Sequence, residues 1–280
     1  MEYWQAFVLG IVQGLTEFLP ISSTAHLKVF PAIFGWQDAG ISFDAVIQLG
    51  SIVAVVGYFW SDLQNIIWGS VKAIREQDYK AQEFKLAAAI ALGTIPIIFG
   101  GLLIKIFLPD YDKSILRSLT TIAIASIVMS SLLALAEVFG QRSRKEKRHF
   151  QRVRVIDGVL MGIAQTMALI PGVSRSGSTL TAGLFLGLDR VAATRFSFLL
   201  GIPAITLGGL VELVSIIKKG FGDIGAGQLA IGLLSSVIFS YLAIAWLLKF
   251  FQTHTTWVFV AYRLIFGAFL LIAVNLGWLT

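Results

Sequence analysis

Two short polar segments interrupt an otherwise apolar chain, and both carry residue types that suit phosphate chemistry. The first is GLTEFLPISSTAH at residues 14–26, and the second is PGVSRSGST at residues 171–179. The first offers a carboxylate, hydroxyls and an imidazole on Glu17, Ser22, Ser23, Thr24 and His26. In the second, a glycine-flanked run of hydroxyl residues opening a helix would present free N–H groups and a positive dipole end to an anion. The guanidinium of Arg175 matches phosphate oxygens, so this segment is predicted to be a phosphate cradle.

Hydrolysis of a phosphoanhydride gives each of these residues a role. It requires charge neutralisation on the phosphoryl oxygens, an in-line nucleophile and a proton donor for the leaving oxygen. The predicted catalytic residues are Glu17, Ser23, His26 and Arg175. The predicted phosphate-binding residues are Ser22, Thr24, Gly172, Ser174, Arg175, Ser176, Gly177 and Thr179. The nucleophile is left open between His26, a Ser or Thr hydroxyl and water, and Glu17 could orient the histidine, hold a cation or transfer protons.

If Glu17 takes the cation-holding role among those left open, the cofactor is a divalent cation, Mg²⁺ or Ca²⁺, with Glu17 as its carboxylate ligand. Gln13 lies four residues earlier, on the same helical face, and is either a second ligand or a helix–helix hydrogen-bonding group. Mg²⁺ and Ca²⁺ both prefer oxygen ligands of this kind. Four other charged residues lie near the ends of apolar segments and are predicted to snorkel to the interface: Glu137, Arg195, Glu212 and Arg263.

Composition determines the class of protein that must position these groups. Of the 280 residues, 56% are hydrophobic and 14% are charged, and the mean hydropathy is +0.81. Soluble domains carry about 25% charged residues, so this composition predicts a polytopic membrane protein. The chain has no cysteine, which excludes a disulfide framework and thiolate metal sites. Much of its net charge of +6 lies in RSRKEKRHFQRVR at residues 142–154, a membrane topology signal rather than a nucleic-acid footprint.

The hydrophobic pattern predicts an all-α membrane fold with six transmembrane helices and two re-entrant helix-loop-helix hairpins. Six stretches are long enough to cross the hydrocarbon core: about 41–60, 86–108, 118–139, 194–217, 225–248 and 257–279. The apolar stretches 1–37 and 155–189 are instead broken by Pro20 and Pro171 where hydroxyl residues accumulate. Irregular backbone at membrane depth must be covered by protein or water, so both are predicted to line a cavity.

The two broken stretches are related at an offset of 151 residues, which predicts an internal duplication. Pro20 aligns with Pro171, and Ser23 aligns with Ser174. Three spans per half would invert the second copy, and inverted repeats place a binding site at their interface. The predicted organisation is a single membrane domain over 1–280, with a first repeat at 1–139, a basic cytoplasmic loop at 140–154 and a second repeat at 155–280. Counting spans from that loop places the amino terminus and the site outside.

The two motifs together resemble the undecaprenyl-diphosphatase family, also called bacitracin resistance proteins. QGLTEFLPISSTAH is followed about 150 residues later by PGVSRSGST, and the resemblance extends over essentially the whole chain. It implies dephosphorylation of undecaprenyl diphosphate to undecaprenyl phosphate in the bacterial inner membrane, which recycles the lipid carrier for cell-wall synthesis. It also implies a cation-assisted site facing the periplasm. The expected partners are a polyprenyl diphosphate and membrane lipids, without nucleic acid, and a homodimer is left open.

This sequence departs from the family pattern at two positions. The Glu/Gln-x-x-x-Glu pattern falls on Gln13 and Glu17, so one negative cation ligand is absent. Ala25 replaces the usual glycine before His26, where a positive φ would be strained by the Cβ atom. We interpret both as variation within an active enzyme.

The alternative function is a secondary transporter or flippase of a lipid phosphate or another anion. Inverted repeats, broken helices and a midplane anion site also serve transport. Transport needs binding groups but no Glu17–His26 pair for acid–base work, so that pair favours the enzyme. A purely structural membrane scaffold would leave the clustered polar groups unexplained.

Overall fold

The computed structural model of the chain describes residues 1–37, 39–111, 114–142, 146–219 and 225–279. Eleven α-helices follow one another in this part of the chain, and no strand is formed in it. They are α1 (Tyr3–Phe18), α2 (Ser23–Phe34), α3 (Gly40–Tyr58), α4 (Trp60–Arg75), α5 (Gln82–Phe107), α6 (Leu119–Arg142), α7 (Val155–Thr166), α8 (Arg175–Phe185), α9 (Arg190–Lys219), α10 (Ala226–Thr253) and α11 (Trp257–Asn275). The prediction of an all-α fold is confirmed.

The long apolar helices make this a multi-pass membrane protein. Five helices of the described chain have the length and apolarity to cross a membrane: α5, α6, the Arg190–Val211 part of α9, α10 and α11. The pair Phe43–Tyr58 and Trp60–Arg75 meets the same test jointly, although α4 turns away from α3 by 70°. The predicted span at 41–60 therefore corresponds to α3.

Both polar segments are helix-loop-helix elements, and each proline marks the break as predicted. The residue before a proline is disfavoured in the helical region, and Leu19 before Pro20 is extended with φ −67° and ψ 143°. In the second segment α7 passes into a short 3₁₀ turn at Met167–Leu169, and Ile170 before Pro171 is again extended. Helices α2 and α8 begin a few residues further on.

The first helix of each half packs against a helix of the other half. Helix α1 lies along α10, and α7 lies along α5. At the first crossing a Cβ atom on Gly10 would lie 2.3 Å from the carbonyl oxygen of Gly232. At the second, a Cβ atom on Gly162 would lie 2.0 Å from that of Gly93. Only glycine permits these approaches. The helices thereby hold side by side the loops at residues 19–22 and 170–174, which, together with the helix turns that flank them, are called the first and the second loop below.

Two of the four charged residues expected to snorkel are buried instead. Glu137 is 2% exposed, forms an ion pair with Arg190 and accepts a hydrogen bond from the hydroxyl of Thr256 at 2.8 Å. Arg263 is 1% exposed. Intramembrane charges face the bundle interior when partners are available there, so the snorkelling prediction is wrong for both. Arg195 is partly exposed and pairs with Asp62, and the Glu212 side chain lies outside the described residues.

The described part of the predicted basic loop folds back onto the second half. Arg148 donates to both carboxylate oxygens of the buried Asp157, at 2.5 and 2.9 Å. Its backbone N–H also donates to the carbonyl of Gly187 at 2.9 Å. Residues 143–145 of this loop lie outside the described part of the chain. Arg148 of the basic loop thus anchors the first turn of α7, which carries Asp157.

Candidate active site

The two loops end in matching helix caps with unusual backbone geometry. Ser22 and Ser174 have φ values of 77° and 71°, and their hydroxyls accept N–H bonds from Ala25 and Gly177. A positive φ costs a residue with a Cβ atom about 1–3 kcal/mol, so the surroundings must impose it. Ser22 and Ser174 are therefore the equivalent points, at an offset of 152 (174 − 22). The predicted pairing of Ser23 with Ser174 is wrong by one residue, because the second loop has one more residue after its proline.

Glu17 lies at the centre of the site and is contacted from both loops. One carboxylate oxygen, Oε1, accepts a hydrogen bond from Nη2 of Arg175 at 3.2 Å. The other, Oε2, accepts from the hydroxyl of Ser23 at 2.7 Å and from Nε2 of Gln13 at 3.0 Å. Nε2 of Gln48 on α3, which the sequence analysis did not identify, lies 3.4 Å from both oxygens. The predicted convergence of Glu17, Ser23 and Arg175 is thus observed.

The Arg175 guanidinium is enclosed by α9 and by the Glu17 carboxylate. Its side chain is 9% exposed, and Nη1 donates to the carbonyl of Ser197 at 3.4 Å. A Cβ atom on Gly201 would lie 1.8 Å from Nη1, so a glycine makes room for the guanidinium. The buried Nε has no hydrogen-bond partner among the described residues.

A cavity of about 190 Å³ opens beside this network. Its polar lining comes from the two loops and α3: Glu17, Ser22, Ser23, Thr24, Gln48, Ser174 and Arg175. Its other wall is apolar and is formed by Ile97, Ala168, Ala204, Ile205 and Gly208. Sites for drug-sized ligands measure about 300–1,000 Å³, so this cavity has room for a phosphate headgroup but not for a long lipid chain.

Four of the predicted phosphate-binding residues do not line this cavity in the described structure. Gly172 forms a left-handed turn with φ 92°, and Gly177 donates its N–H to the Ser174 cap. The hydroxyl of Ser176 donates to the carbonyl of Leu19 at 2.9 Å, which joins the two loops directly. The hydroxyl of Thr179 donates to the carbonyl of Arg175 at 2.8 Å. Their observed partners are groups of the protein that shape the loops.

His26 faces away from Glu17, and the expected Glu17–His26 pair is not formed. Its Nδ1 lies 2.7 Å from the carbonyl of Ser22, which can only accept, so Nδ1 carries the proton. Nε2 is then the acceptor for the hydroxyl of Tyr262 at 2.6 Å. The ring stacks on Phe266, in a separate apolar cavity between α1, α2 and α11. The ring turns away from Glu17 because its Nδ1 bonds to the carbonyl of Ser22, the residue that caps the helix carrying His26.

Arg263 on α11 contacts both loops, and the sequence analysis did not assign it to the site. Nη1 donates to the carbonyl of Pro20 at 3.0 Å. Nη2 donates to the carbonyls of Gly172 at 2.7 Å and Val173 at 3.0 Å. The available signal was the intramembrane charge itself, which is a functional indicator by default.

The residues around Glu17 fit a divalent cation only in part. The described residues contain no group of three or more His, Asp and Glu side chains that could hold a metal ion. Glu17 is a single carboxylate beside the amide groups of Gln13 and Gln48 and the hydroxyl of Ser23. Mg²⁺ commonly binds through one or two carboxylates together with phosphate oxygens of the substrate. The site therefore fits a cation whose coordination the substrate completes.

Comparison with known proteins agrees with the two motifs. A family model described as bacitracin resistance protein BacA matches residues 6–269. An undecaprenyl-diphosphatase of Synechococcus elongatus is 60% identical over 279 residues, covering 100% of this chain and 96% of the relative. The undecaprenyl-diphosphatase of Synechocystis sp. is 59% identical, covering 99% of this chain and 84% of the relative. That of Trichodesmium erythraeum is 55% identical, covering 99% of this chain and 88% of the relative. The chain therefore belongs to the bacitracin resistance protein BacA family.

Proposed function

We propose that this protein hydrolyses undecaprenyl diphosphate to undecaprenyl phosphate and inorganic phosphate, and so recycles the lipid carrier for cell-wall synthesis. The observation that carries the proposal is the meeting of Glu17, Ser23 and Arg175 in one small cavity of a membrane protein. The relatives named undecaprenyl-diphosphatase support the substrate. A transporter would need Arg175 to bind an anion, but it would not need a hydroxyl held against a carboxylate.

In the proposed mechanism Ser23 is the nucleophile and Glu17 its general base. The Ser23 proton passes to Glu17 over the 2.7 Å hydrogen bond, and Oγ attacks the terminal phosphorus. The bond from that phosphorus to the bridging oxygen breaks, undecaprenyl phosphate leaves with the proton from Glu17, and phosphoserine remains. Water then attacks the phosphorus of the phosphoserine and gives a proton to Glu17. The bond from phosphorus to Oγ of Ser23 breaks, Oγ takes that proton back from Glu17, and inorganic phosphate is released. Arg175 neutralises the phosphoryl oxygens throughout.

The proposed cofactor is Mg²⁺ or Ca²⁺, held by Glu17 and the substrate phosphates, with the Gln13 and Gln48 amides nearby. When bound, such an ion would neutralise further charge on the phosphoryl oxygens. His26 is not given a chemical step, because its two ring nitrogens are engaged by Ser22 and Tyr262. We assign it to holding the first loop.

The direct test is phosphate release from undecaprenyl diphosphate by the detergent-purified protein, with Mg²⁺, with Ca²⁺ and with a chelator. We expect the wild type to release phosphate only with a cation and the Ser23→Ala variant to release none. When the wild-type reaction is quenched early, we expect to find phosphate bound to Ser23. A folded protein that releases no phosphate, yet moves the lipid between vesicle leaflets, would assign the site to transport instead.

We further propose that the halves 1–139 and 155–280 are inverted repeats, with six spans and two re-entrant hairpins. The matching caps at Ser22 and Ser174 support this proposal. The helix contacts support it too, because the first helix of each half packs against a helix of the other half: α1 on α10, and α7 on α5. The repeats also meet through their corresponding helices, α3 with α9 and α6 with α11.

In the proposed orientation the amino terminus and the cavity face the outside of the cytoplasmic membrane, and the basic loop faces the cytoplasm. The natural chain has no cysteine, so single-cysteine variants can report this in intact cells. We expect a membrane-impermeant maleimide to label Glu2→Cys in intact cells and Arg152→Cys only after permeabilisation. The opposite pattern would reverse the orientation.

The apolar wall of the cavity is the proposed exit for the lipid chain, because the cavity holds only the headgroup. A Cβ atom on Gly208 would meet no atom within 4 Å, so Gly208→Trp can fold and fill this opening. We expect Gly208→Trp to raise KM for undecaprenyl diphosphate by at least about tenfold, the loss of about 1.4 kcal/mol of binding. Gly101→Trp is the matched control, since its Cβ atom also meets no atom within 4 Å and it lies outside the cavity lining. Equal KM values for both variants would refute this exit.

A further inference from the structure

Arg263 is a buried cation whose hydrogen bonds go to the backbone of the two loops. Its side chain is 1% exposed, and in the described structure its three acceptors are the carbonyls of Pro20, Gly172 and Val173. No carboxylate pairs with it in the described part of the chain. A buried charge without a counter-ion is costly, so it persists where specific acceptors are arranged around it. The loops supply that arrangement.

The carbonyls bound by Arg263 come just before the two strained caps. Pro20 lies two residues before Ser22, and Val173 directly precedes Ser174. Hydrogen bonds to these carbonyls fix the peptide planes that lead into the positive φ values of both serines. The fold also leaves space for the guanidinium, because a Cβ atom on Gly177 would lie 2.8 Å from Nη1.

The adjacent residue on α11 secures the first loop a second time. The hydroxyl of Tyr262 donates to His26, and the other nitrogen of His26 donates to the carbonyl of Ser22. Helix α11 therefore reaches the first loop through Tyr262 and both loops through Arg263. Neither side chain lines the cavity that holds Glu17 in the described structure.

We propose that Arg263 is a positioning residue for the hydrolysis. By tying the turn at Pro20 to the turn at Gly172–Val173, it sets how Ser23 and Glu17 of the first loop face Arg175 of the second. The guanidinium suits this role because its two terminal nitrogens bond the two loops separately, whereas a lysine ammonium is a single point. The effect on catalysis rests on the proposed phosphatase function, but the tie between the loops does not.

The test compares Arg263→Gln and Arg263→Lys with wild type in two measurements. Because a misplacement of about 1 Å can cost about 100-fold in rate, we expect Arg263→Gln to lower kcat about 100-fold with KM changed less than about threefold. We expect Arg263→Lys to lose about tenfold, since the charge remains but one loop loses its donor. Amide hydrogen exchange should become faster in residues 19–26 and 170–178 together, with the other helices unchanged.

The control is Arg190→Gln, which removes another arginine that pairs with a buried carboxylate but lies away from the cavity. It should leave exchange in both loops as in wild type. Should Arg263→Gln not be recovered from membranes, Arg263→Lys carries the same two measurements. Faster exchange in only one loop, or a raised KM with unchanged kcat, would overturn the positioning role. If the wild type itself releases no phosphate, the exchange measurement still tests the tie between the loops.

Discussion

Replacing Arg175 with alanine is expected to lower kcat/KM for phosphate release by about 10³-fold, the low end of what an arginine contributes to phosphoryl transfer. The guanidinium touches Glu17 and also lines the cavity. Its removal also leaves the Glu17 carboxylate without its positive partner. Arg175→Lys should recover only part of this loss, because an ammonium cannot bind Glu17 and a phosphate with a planar fork. Steady-state phosphate release from undecaprenyl diphosphate measures both variants.

The control for Arg175 comes from an ion pair elsewhere in the molecule. Arg190 pairs with the buried carboxylate of Glu137, and neither residue lines the cavity. Arg190→Ala should lower the melting temperature while keeping kcat/KM within about threefold for the folded protein. An equal loss of activity in Arg175→Ala and Arg190→Ala would mean that folding, rather than phosphate recognition, explains the first result.

Replacing Glu17 with glutamine is expected to lower kcat by about 10³-fold, within the range of general base catalysis. Glutamine keeps the shape and an acceptor for Arg175, but it cannot take the proton of Ser23. KM measured at saturating Mg²⁺ should not rise, because excess cation compensates for the loss of its carboxylate ligand and the substitution also removes a negative charge beside the phosphates. A raised KM with unchanged kcat would show that Glu17 serves binding alone.

Glu137→Gln is the matched control for this second substitution, since Glu137 is also a buried carboxylate paired with an arginine. It should keep wild-type kcat. The double variant Glu17→Gln/Arg175→Ala should lose far less than the product of the two single losses, because the residues act as one hydrogen-bonded unit. If the loss in the double variant equals the product of the two single losses, Glu17 and Arg175 act independently of each other.

The centre of the site was predictable from the sequence because polar residues are expensive in apolar segments. Glu17, Ser23 and Arg175 stand out in such surroundings, and the hypothesis of an internal duplication led to the prediction that the loops carrying them meet. The breaks at Pro20 and Pro171 followed from the restriction that proline imposes on the preceding residue.

The remaining parts of the site depend on contacts between distant helices. Gln48 and Arg263 reach the loops from α3 and α11, and their sequence neighbourhoods resemble ordinary spans. His26 was assigned to Glu17 by proximity in sequence, but a hydrogen bond to its own loop turned the ring away. The one-residue difference between the loops was hidden because Ser22 and Ser23 are both serines, and only backbone geometry distinguishes the cap.

The crossing of α1 with α10 also determines when the site can form during biosynthesis. Roughly 200 residues separate the two helices, and at about 5–20 residues per second the ribosome needs about 10–40 s to make them. Until then Gln13 and Glu17 lack the serine-bearing face of α10 that packs on this side of α1. Arg175 is made somewhat earlier, 158 residues (175 − 17) after Glu17. Before Arg175 is made, the first half therefore holds the Glu17 carboxylate without its arginine partner. Completion of the surroundings of Glu17 is consequently among the last events in the assembly of this protein.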